Sequence, residues 1–209
     1  GELEDALRHY RGALHLARDL FDESTVRNNL GNLYLLVKQP EEAMAQFRRC
    51  LEILPWGPAD FYNNIGLAYL DLGDLRKAEE SYVRSLDANR LYVPAYMNLG
   101  VLRFRQARWE EGGRLFEQAV RLDPDDALAM LGLGKFYLSM GEFDKASETF
   151  RRLVRLRPNE PTGYLYLAVC AMRTAPPQLE AAHRYLARAT ALGWEPDAAF
   201  LAELKKIGK

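Results

Sequence analysis

Histidine and cysteine are scarce in this chain, which has 3 histidines and 2 cysteines in 209 residues. His9 and His15 are six residues apart, on different faces of one predicted helix, and His183 stands alone. Cys50 and Cys170 fall on separate predicted helices, where we expect small buried residues rather than a disulfide or a metal pair. The sequence therefore predicts no metal site and no cofactor.

Long apolar runs and an excess of charge of either sign are also missing. The longest apolar stretch, Tyr164 to Met172, has nine residues, about half of what a membrane-spanning helix needs. Lys and Arg number 28 against 29 Asp and Glu, so the formal net charge is -1. A neutral balance gives no general attraction for nucleic acid or for an anionic membrane surface. We expect neither nucleic-acid binding nor direct membrane insertion.

Motifs of enzyme chemistry are absent as well. The sequence has no glycine-rich phosphate loop and no nucleophile elbow. Its acid pairs Glu41-Glu42 and Asp125-Asp126 stand where predicted helices begin, a place where acids interact favourably with the helix dipole. We therefore expect that this chain is not itself an enzyme.

What the chain does have is a leucine-glycine signature that returns at a nearly constant interval. It occurs as Leu30-Gly31, Ile65-Gly66, Leu99-Gly100 and Leu133-Gly134, with Leu167-Ala168 as a fifth copy. The four glycines are spaced 35, 34 and 34 residues apart. A fixed period in this range indicates stacked supersecondary units whose apolar faces are buried only by their neighbours.

Each period contains two predicted helices, which we call A and B. When the signature Leu is counted as position 7 and its Gly as position 8, apolar residues recur at positions 4, 7, 8 and 11, the spacing of one helical face. A second face has a small residue at position 20 and an aromatic at position 24, such as Ala78 and Tyr82. Breakers between them, such as Gly73-Asp74, end helix A and begin helix B. The unit is a helix-turn-helix hairpin.

This pattern resembles the tetratricopeptide repeat, with its W-x2-L-G-x2-Y, A-x3-F and closing Pro elements. The resemblance implies an all-α, right-handed α-solenoid of about five hairpins whose A helices line a concave face. The predicted segments are a lone B helix at 1–20, repeats at 24–57, 59–92, 93–126, 127–160 and 161–195, and a capping helix at 197–207. The clearest departures are Arg27 at position 4, Arg103 at position 11 and a two-residue insertion around Pro176-Pro177.

The chain begins without Met and enters a repeat at its second helix. We expect that it is a piece of a longer protein and that the array continues upstream. Three functions stay open: a scaffold that binds an extended peptide of a partner protein, a structural scaffold that forms homo-oligomers through its terminal helices, and a substrate-recruiting arm of a larger enzyme.

Positions 2, 6, 9 and 13 of helix A lie opposite its buried stripe and are predicted to face the groove. Position 6 is Asn29, Asn64 and Asn98 in three successive repeats. A carboxamide both donates and accepts hydrogen bonds, so such a column can pair with the backbone of an extended peptide whatever its side chains. The resemblance implies the same use, because peptide-binding members such as the O-linked N-acetylglucosamine transferase have an asparagine column at this position.

The predicted peptide-binding face combines carboxamide, apolar and basic residues. Its members are Asn28, Asn29, Asn32, Asn63, Asn64, Leu67, Asn98, Val101, Arg105, Lys135, Val169 and Arg173. Three carboxamide bonds supply about 2–4 kcal/mol, short of the about 8 kcal/mol that micromolar affinity requires, so apolar contacts must supply the rest. Asp60 and Asp71 precede the basic residues along the chain, which favours a ligand with an acidic feature.

The carboxylate clamp of chaperone-binding members requires Lys at position 5 of one repeat, and Lys and Arg at positions 2 and 6 of a later one. Position 5 here is Asn28, Asn63 or Met97, and Pro94 and Asn98 take the later places. The sequence therefore argues against a receptor for chaperone tails.

Overall fold

A computed structural model of the chain describes residues 2–17 and 19–195. Across these residues it has eleven α-helices and no strand. The helices are α1 (Glu2–Leu14), α2 (Leu20–Leu36), α3 (Pro40–Ile53), α4 (Ala59–Asp71), α5 (Leu75–Ala88), α6 (Val93–Arg105), α7 (Trp109–Leu122), α8 (Ala127–Ser139), α9 (Phe143–Leu156), α10 (Pro161–Arg173) and α11 (Leu179–Ala191). This confirms the predicted all-α hairpin architecture. The predicted capping helix at 197–207 lies outside the described residues.

The chain divides into two compact units, Gly1–Leu102 and Arg103–Lys209, which we call the N-unit and the C-unit. In the N-unit, helix A pairs with helix B as α2 with α3 and α4 with α5, and α1 packs on α2. In the C-unit, α8 pairs with α9 and α10 with α11. A helices also pack on the B helix of the preceding repeat, as α4 does on α3 and α10 does on α9.

Three signature glycines, Gly31, Gly66 and Gly134, lie against the position-24 aromatic of their own hairpin. A Cβ atom at Gly66 would lie 2.4 Å from Tyr82 Cε1 in the N-unit, and one at Gly134 would lie 2.5 Å from Phe150 Cε1 in the C-unit. Atoms do not approach so closely, so only glycine lets helices A and B meet at this distance. This confirms that these three glycines are packing residues.

Helix α2 begins at Leu20, one turn before Ser24, the first residue of the predicted repeat. Asp19 is the reason, because its Oδ1 accepts a hydrogen bond from the backbone N–H of Asp22 at 2.8 Å and caps the helix. Asp126 caps α8 in the same way, which confirms that this acid marks a helix start.

Both cysteines are free and buried, as predicted. Cys50 Sγ donates to the carbonyl of Ser24 at 3.3 Å, and one repeat later Ser85 Oγ donates to the carbonyl of Ala59 at 2.7 Å. Each bond joins position 27 of helix B to position 1 of helix A, so it ties the two ends of a hairpin together. Burial raises the pKa of Cys50 to about 12 and that of Cys170 to about 11, so both thiols are protonated at neutral pH.

Candidate functional site

Positions 9 and 13 of the A helices form an open face, as the helical spacing predicts. In the N-unit the side chains at these positions are Asn32, Leu36, Leu67, Asp71 and Val101. In the C-unit they are Arg105, Lys135, Ser139, Val169 and Arg173. Only Leu67 and Val169 among them are half-buried, and the others are exposed. We call these two sets the A-faces of the N-unit and of the C-unit.

Position 6, by contrast, is not uniformly open. Asn29 is exposed, Asn98 is half-buried, and Asn64 is buried, with an exposed fraction of 8%. The prediction that position 6 faces outward therefore holds fully only for Asn29. Helix A packs on two B helices, its own and the preceding one, so its open face is narrower than the periodicity of a single helix indicates.

In the C-unit, position 6 is occupied by packing residues. A Cβ atom at Gly132 would lie 2.7 Å from the Phe116 ring of the preceding repeat. One repeat later, Tyr166 stacks on Phe150 with ring centroids 4.9 Å apart and ring planes 12° apart. The position-24 aromatics therefore also fill the gap to the next repeat, as the sequence predicts.

Four carboxamides of the N-unit bond to one another. Asn98 Nδ2 donates to Asn63 Oδ1 at 2.8 Å, and Asn63 Nδ2 donates to Asn64 Oδ1 at 3.3 Å. Asn64 Nδ2 then donates to Asn28 Oδ1 at 3.0 Å, and Asn28 Nδ2 donates to Asp60 Oδ2 at 3.1 Å. We call these five residues the carboxamide chain. It connects the three A helices α6, α4 and α2.

Burial makes the carboxamide chain a structural element in its own right. Asn28 and Asn63 are 7% and 3% exposed. A buried amide that loses its partner costs more than its hydrogen bond contributes, so the chain fixes one register of the A helices. Sequence reasoning assigned these residues only to ligand binding, although paired asparagines at positions 5 and 6 of two successive repeats were a visible signal.

Two predicted carboxamides remain open to solvent. Asn29 and Asn32 lie one turn apart on α2, and both are exposed. Within the described residues, neither side chain forms a hydrogen bond to the rest of the chain. These two side chains can offer donors and acceptors to a ligand without breaking an internal bond.

Arg103, the departure at position 11, is 8% exposed. Its Nη1 donates to Gln106 Oε1 at 2.9 Å, and its Nε lies 3.4 Å from Glu111 Oε2 at position 19. A hydrogen bond from Arg108 holds the pKa of Glu111 below its ordinary value. Arg103 is therefore held inside the protein as part of a charge cluster.

Two other repeats join the same two positions with different chemistry. Lys77 Nζ lies 5.3 Å from the ring centroid of Tyr69 in the N-unit, and Lys145 Nζ lies 5.4 Å from that of Tyr137 in the C-unit. The aromatic-cation pair of these repeats is a cation-anion pair in the third, which explains why Arg103 departs from the pattern.

Within the described part of the chain, no group of three or more His, Cys, Asp or Glu could hold a metal ion. None of the described helices combines the length and the apolarity that crossing a membrane requires.

Comparison with known proteins places the chain in a family. Residues 1–204 match the family described as the cilia and flagella-associated protein 70 C-terminal domain. The chain belongs to this family. The match covers both units, and together with the hairpin geometry it confirms a tetratricopeptide-repeat protein.

Parts of this cilia and flagella-associated protein 70 domain are also similar in sequence to other human proteins. Protein O-mannosyl-transferase TMTC2 of Homo sapiens is 35% identical over 98 residues, which are 46% of this chain and 12% of that protein. Trafficking protein particle complex subunit 12 of Homo sapiens is 26% identical over 161 residues, which are 74% of this chain and 22% of that protein. The chain thus spans less than a quarter of the length of these relatives.

Solved structures similar to this domain agree on the fold. The solved structure of Pseudomonas aeruginosa pilF matches this chain with a TM-score of 0.75 and 23% sequence identity, over 88% of this chain and 86% of that one. YrrB, a TPR protein with an unusual peptide-binding site, has a TM-score of 0.66 at 20% identity, over 94% of this chain and 97% of that one. At these identities the likeness concerns the fold alone.

Proposed function

We propose that this chain is a protein-interaction scaffold that holds an extended segment of a partner protein against an A-face. The observation that carries the proposal is the pair of exposed, internally unbonded carboxamides Asn29 and Asn32 on α2. They stand beside the buried carboxamide chain, so the backbone that presents them is held in one register. Donors and acceptors fixed in advance lose less entropy when a ligand binds.

Carboxamides suit the backbone of an extended peptide because that backbone presents one N–H and one C=O per residue. Two such contacts orient a peptide without selecting its side chains. Apolar contacts supply the remaining affinity, and the N-unit offers Leu36, 67% exposed, and Val101, 39% exposed, on the same A-face. Their exposure leaves apolar area for a partner to cover.

The test uses a peptide selected from a random library on the full chain. The double variant Asn29→Ala, Asn32→Ala removes both open carboxamides without touching the buried chain, and we expect it to weaken the selected peptide about tenfold. Asn159, an exposed asparagine in the turn before α10, provides the control variant Asn159→Ala, which should leave affinity unchanged. Equal affinities for all three proteins in fluorescence anisotropy, or a selection that yields no peptide, would contradict the proposal.

Self-association is a second candidate function, favoured by an apolar group where α1 turns into α2. Leu16, Leu20 and Phe21 are 79%, 61% and 65% exposed. Adjacent exposed apolar side chains of this size mark interaction surfaces. Light scattering should then show a dimer at high concentration that the double variant Leu20→Ser, Phe21→Ser converts to a 23.9 kDa monomer. A monomer at every concentration excludes it.

A recruiting role within a larger enzyme is the third candidate, favoured by the similarity to a short part of Protein O-mannosyl-transferase TMTC2. Deletion of this region from a full-length enzyme should then reduce turnover of a protein substrate and spare that of a short acceptor peptide. Equal loss for both substrates argues against recruitment.

A further inference from the structure

We propose that the A-face of the C-unit receives an acidic segment of a partner protein. The inference rests on the proposed function and adds the charge of the ligand to it. It starts from a difference in charge between the A helices of the two units. Helices α8 and α10 contain no Asp or Glu, and Lys135 and Arg173 are their only charged residues. The end of α6 adds Arg105 to the same A-face.

The N-unit shows that this is not a property of A helices in general. Helices α2 and α4 carry four acidic residues, Asp22, Glu23, Asp60 and Asp71, against the single base Arg27. The B helix of the same C-unit repeat is also mixed, since α9 carries both Asp144 and Glu148 among its arginines. Helix α9 is net positive as well, but among the described helices only α6, α8 and α10 carry basic residues with no acidic residue on the same helix.

The cations of this face are exposed to solvent. Lys135 Nζ lies 5.2 Å from the ring centroid of Tyr166, and the side chain of Lys135 is exposed. Among the described residues, neither Lys135 nor Arg105 has a carboxylate within ion-pair distance. Arg103, by contrast, is buried beside Glu111 and is used internally. Lys135 and Arg105 can thus bind an anion without breaking an internal ion pair.

Helix α8 also offers an exposed apolar side chain, which favours a peptide over a bare anion. Leu128, at position 2 of α8, is 69% exposed. It borders a notch of about 60 Å³ whose lining includes Leu131, Arg157 and Glu160. From Leu128 to Lys135 the helix rises about 10 Å, close to three residues of an extended chain. The matching segment carries a carboxylate about three residues from an apolar side chain.

The experiment measures the affinity of the full chain for a fluorescein-labelled peptide in which Leu and Glu recur three residues apart. A second peptide has Gln in place of every Glu. We expect binding of the acidic peptide only, and weaker binding at higher salt because both partners are exposed. Lys135→Glu and Arg105→Glu should each weaken binding about tenfold, and Lys135→Gln, which keeps the side-chain stem, about threefold.

Arg155 supplies a matched control, because it is an exposed arginine on the B helix α9 of the same unit. Arg155→Glu changes the net charge as much as Lys135→Glu does and should leave affinity within twofold. Equal weakening by both variants would show attraction to overall charge and overturn the proposal, as would tight binding of the Gln peptide. Competition by a single-stranded oligonucleotide at equal concentration would also overturn it, in favour of nucleic acid.

Circular dichroism of each variant before titration separates lost binding from lost folding. If selected peptides cross-link to the A-faces but show no preference for acidic residues, this proposal fails and the proposed function stands. If no peptide reaches the A-faces, both fail.

Discussion

The A helices of the two units use the same repeat position in opposite ways. In the N-unit, position 6 supplies Asn64 and Asn98 to a hydrogen-bonded chain that crosses from helix to helix. In the C-unit, the equivalent residues are Gly132 and Tyr166, which pack against aromatic rings. One scaffold thus tolerates polar or apolar contacts between repeats. The open face at positions 9 and 13 is free to differ as well, neutral to acidic in one unit and basic in the other.

Both units are built on the same hairpin frame, and substitutions at the signature glycines test it. Gly66→Ala and Gly134→Ala should each lower the free energy of unfolding by about 3 kcal/mol, because the added Cβ meets Tyr82 or Phe150. Urea denaturation followed by circular dichroism measures the change. Gly12 provides the control, since a Cβ atom there would meet no atom of a packing neighbour within 4 Å, and Gly12→Ala should stabilise α1 by about 0.5–1 kcal/mol. A loss in only one unit would break the common frame.

At position 6, the buried Asn64 should contribute more to stability than the exposed Asn29. Asn64→Ala should cost about 2 kcal/mol, because it removes the partner of the buried Asn28 oxygen and of the Asn63 amide. Asn29→Ala, at the same position of the preceding repeat, should change stability by less than about 0.5 kcal/mol, because Asn29 is exposed. Thermal unfolding of the two variants under the same conditions measures the difference in their stability. If they cost the same, the carboxamide chain contributes nothing to stability.

The third prediction concerns the pair at positions 11 and 19. Glu111→Lys should destabilise the C-unit by about 1.5 kcal/mol, because it places a second cation beside the buried Arg103. Adding Arg103→Tyr creates the aromatic-cation pair that Tyr137 and Lys145 form in the next repeat. A double-mutant cycle should therefore show that the second change recovers part of the loss. Additive costs would mean that the two positions are not coupled.

The smallest effect is expected at Cys50. A serine there can donate to the Ser24 carbonyl as Ser85 donates to Ala59, so Cys50→Ser should cost only about 0.5–1 kcal/mol. Folding raises the pKa of Cys50 from 9.0 to about 12 through burial. The folded chain keeps a proton that the unfolded chain loses, so stability is complete below pH 9 and falls as the pH rises toward 12.

Stability measured across this alkaline range should fall less steeply for Cys50→Ser than for the unaltered chain, because serine does not titrate there. Identical slopes would show that Cys50 does not contribute to the pH dependence.

The hairpin frame was predictable because it depends on the spacing of residues that are close together in the sequence. The Leu-Gly period located both helices of every repeat in the described residues, and the open positions 9 and 13 followed from helical geometry. The carboxamide chain was not predictable in this way. Its bonds join residues of different repeats, such as Asn64 and Asn28, and depend on how closely consecutive A helices approach. A single-helix projection does not contain that distance.

Arg103 is an intermediate case. Taken alone, an arginine at an aromatic position is only an irregularity. When positions 11 and 19 are compared together, Arg103 pairs with Glu111 where Tyr69 and Tyr137 pair with lysines. The replacement of an aromatic-cation pair by a cation-anion pair was therefore visible in the sequence. Reading correlated positions within repeats recovers contacts that single columns hide.

We propose that the A helices, not the B helices, form the binding face. The most direct test is photo-cross-linking of the acidic peptide, carrying a benzophenone group, to the full chain, with the attachment sites read by mass spectrometry. We expect attachment on α8 and α10 near Lys135 and Val169, and loss of that attachment in Lys135→Glu. Attachment on α9 or α11, unchanged by Lys135→Glu, would contradict it.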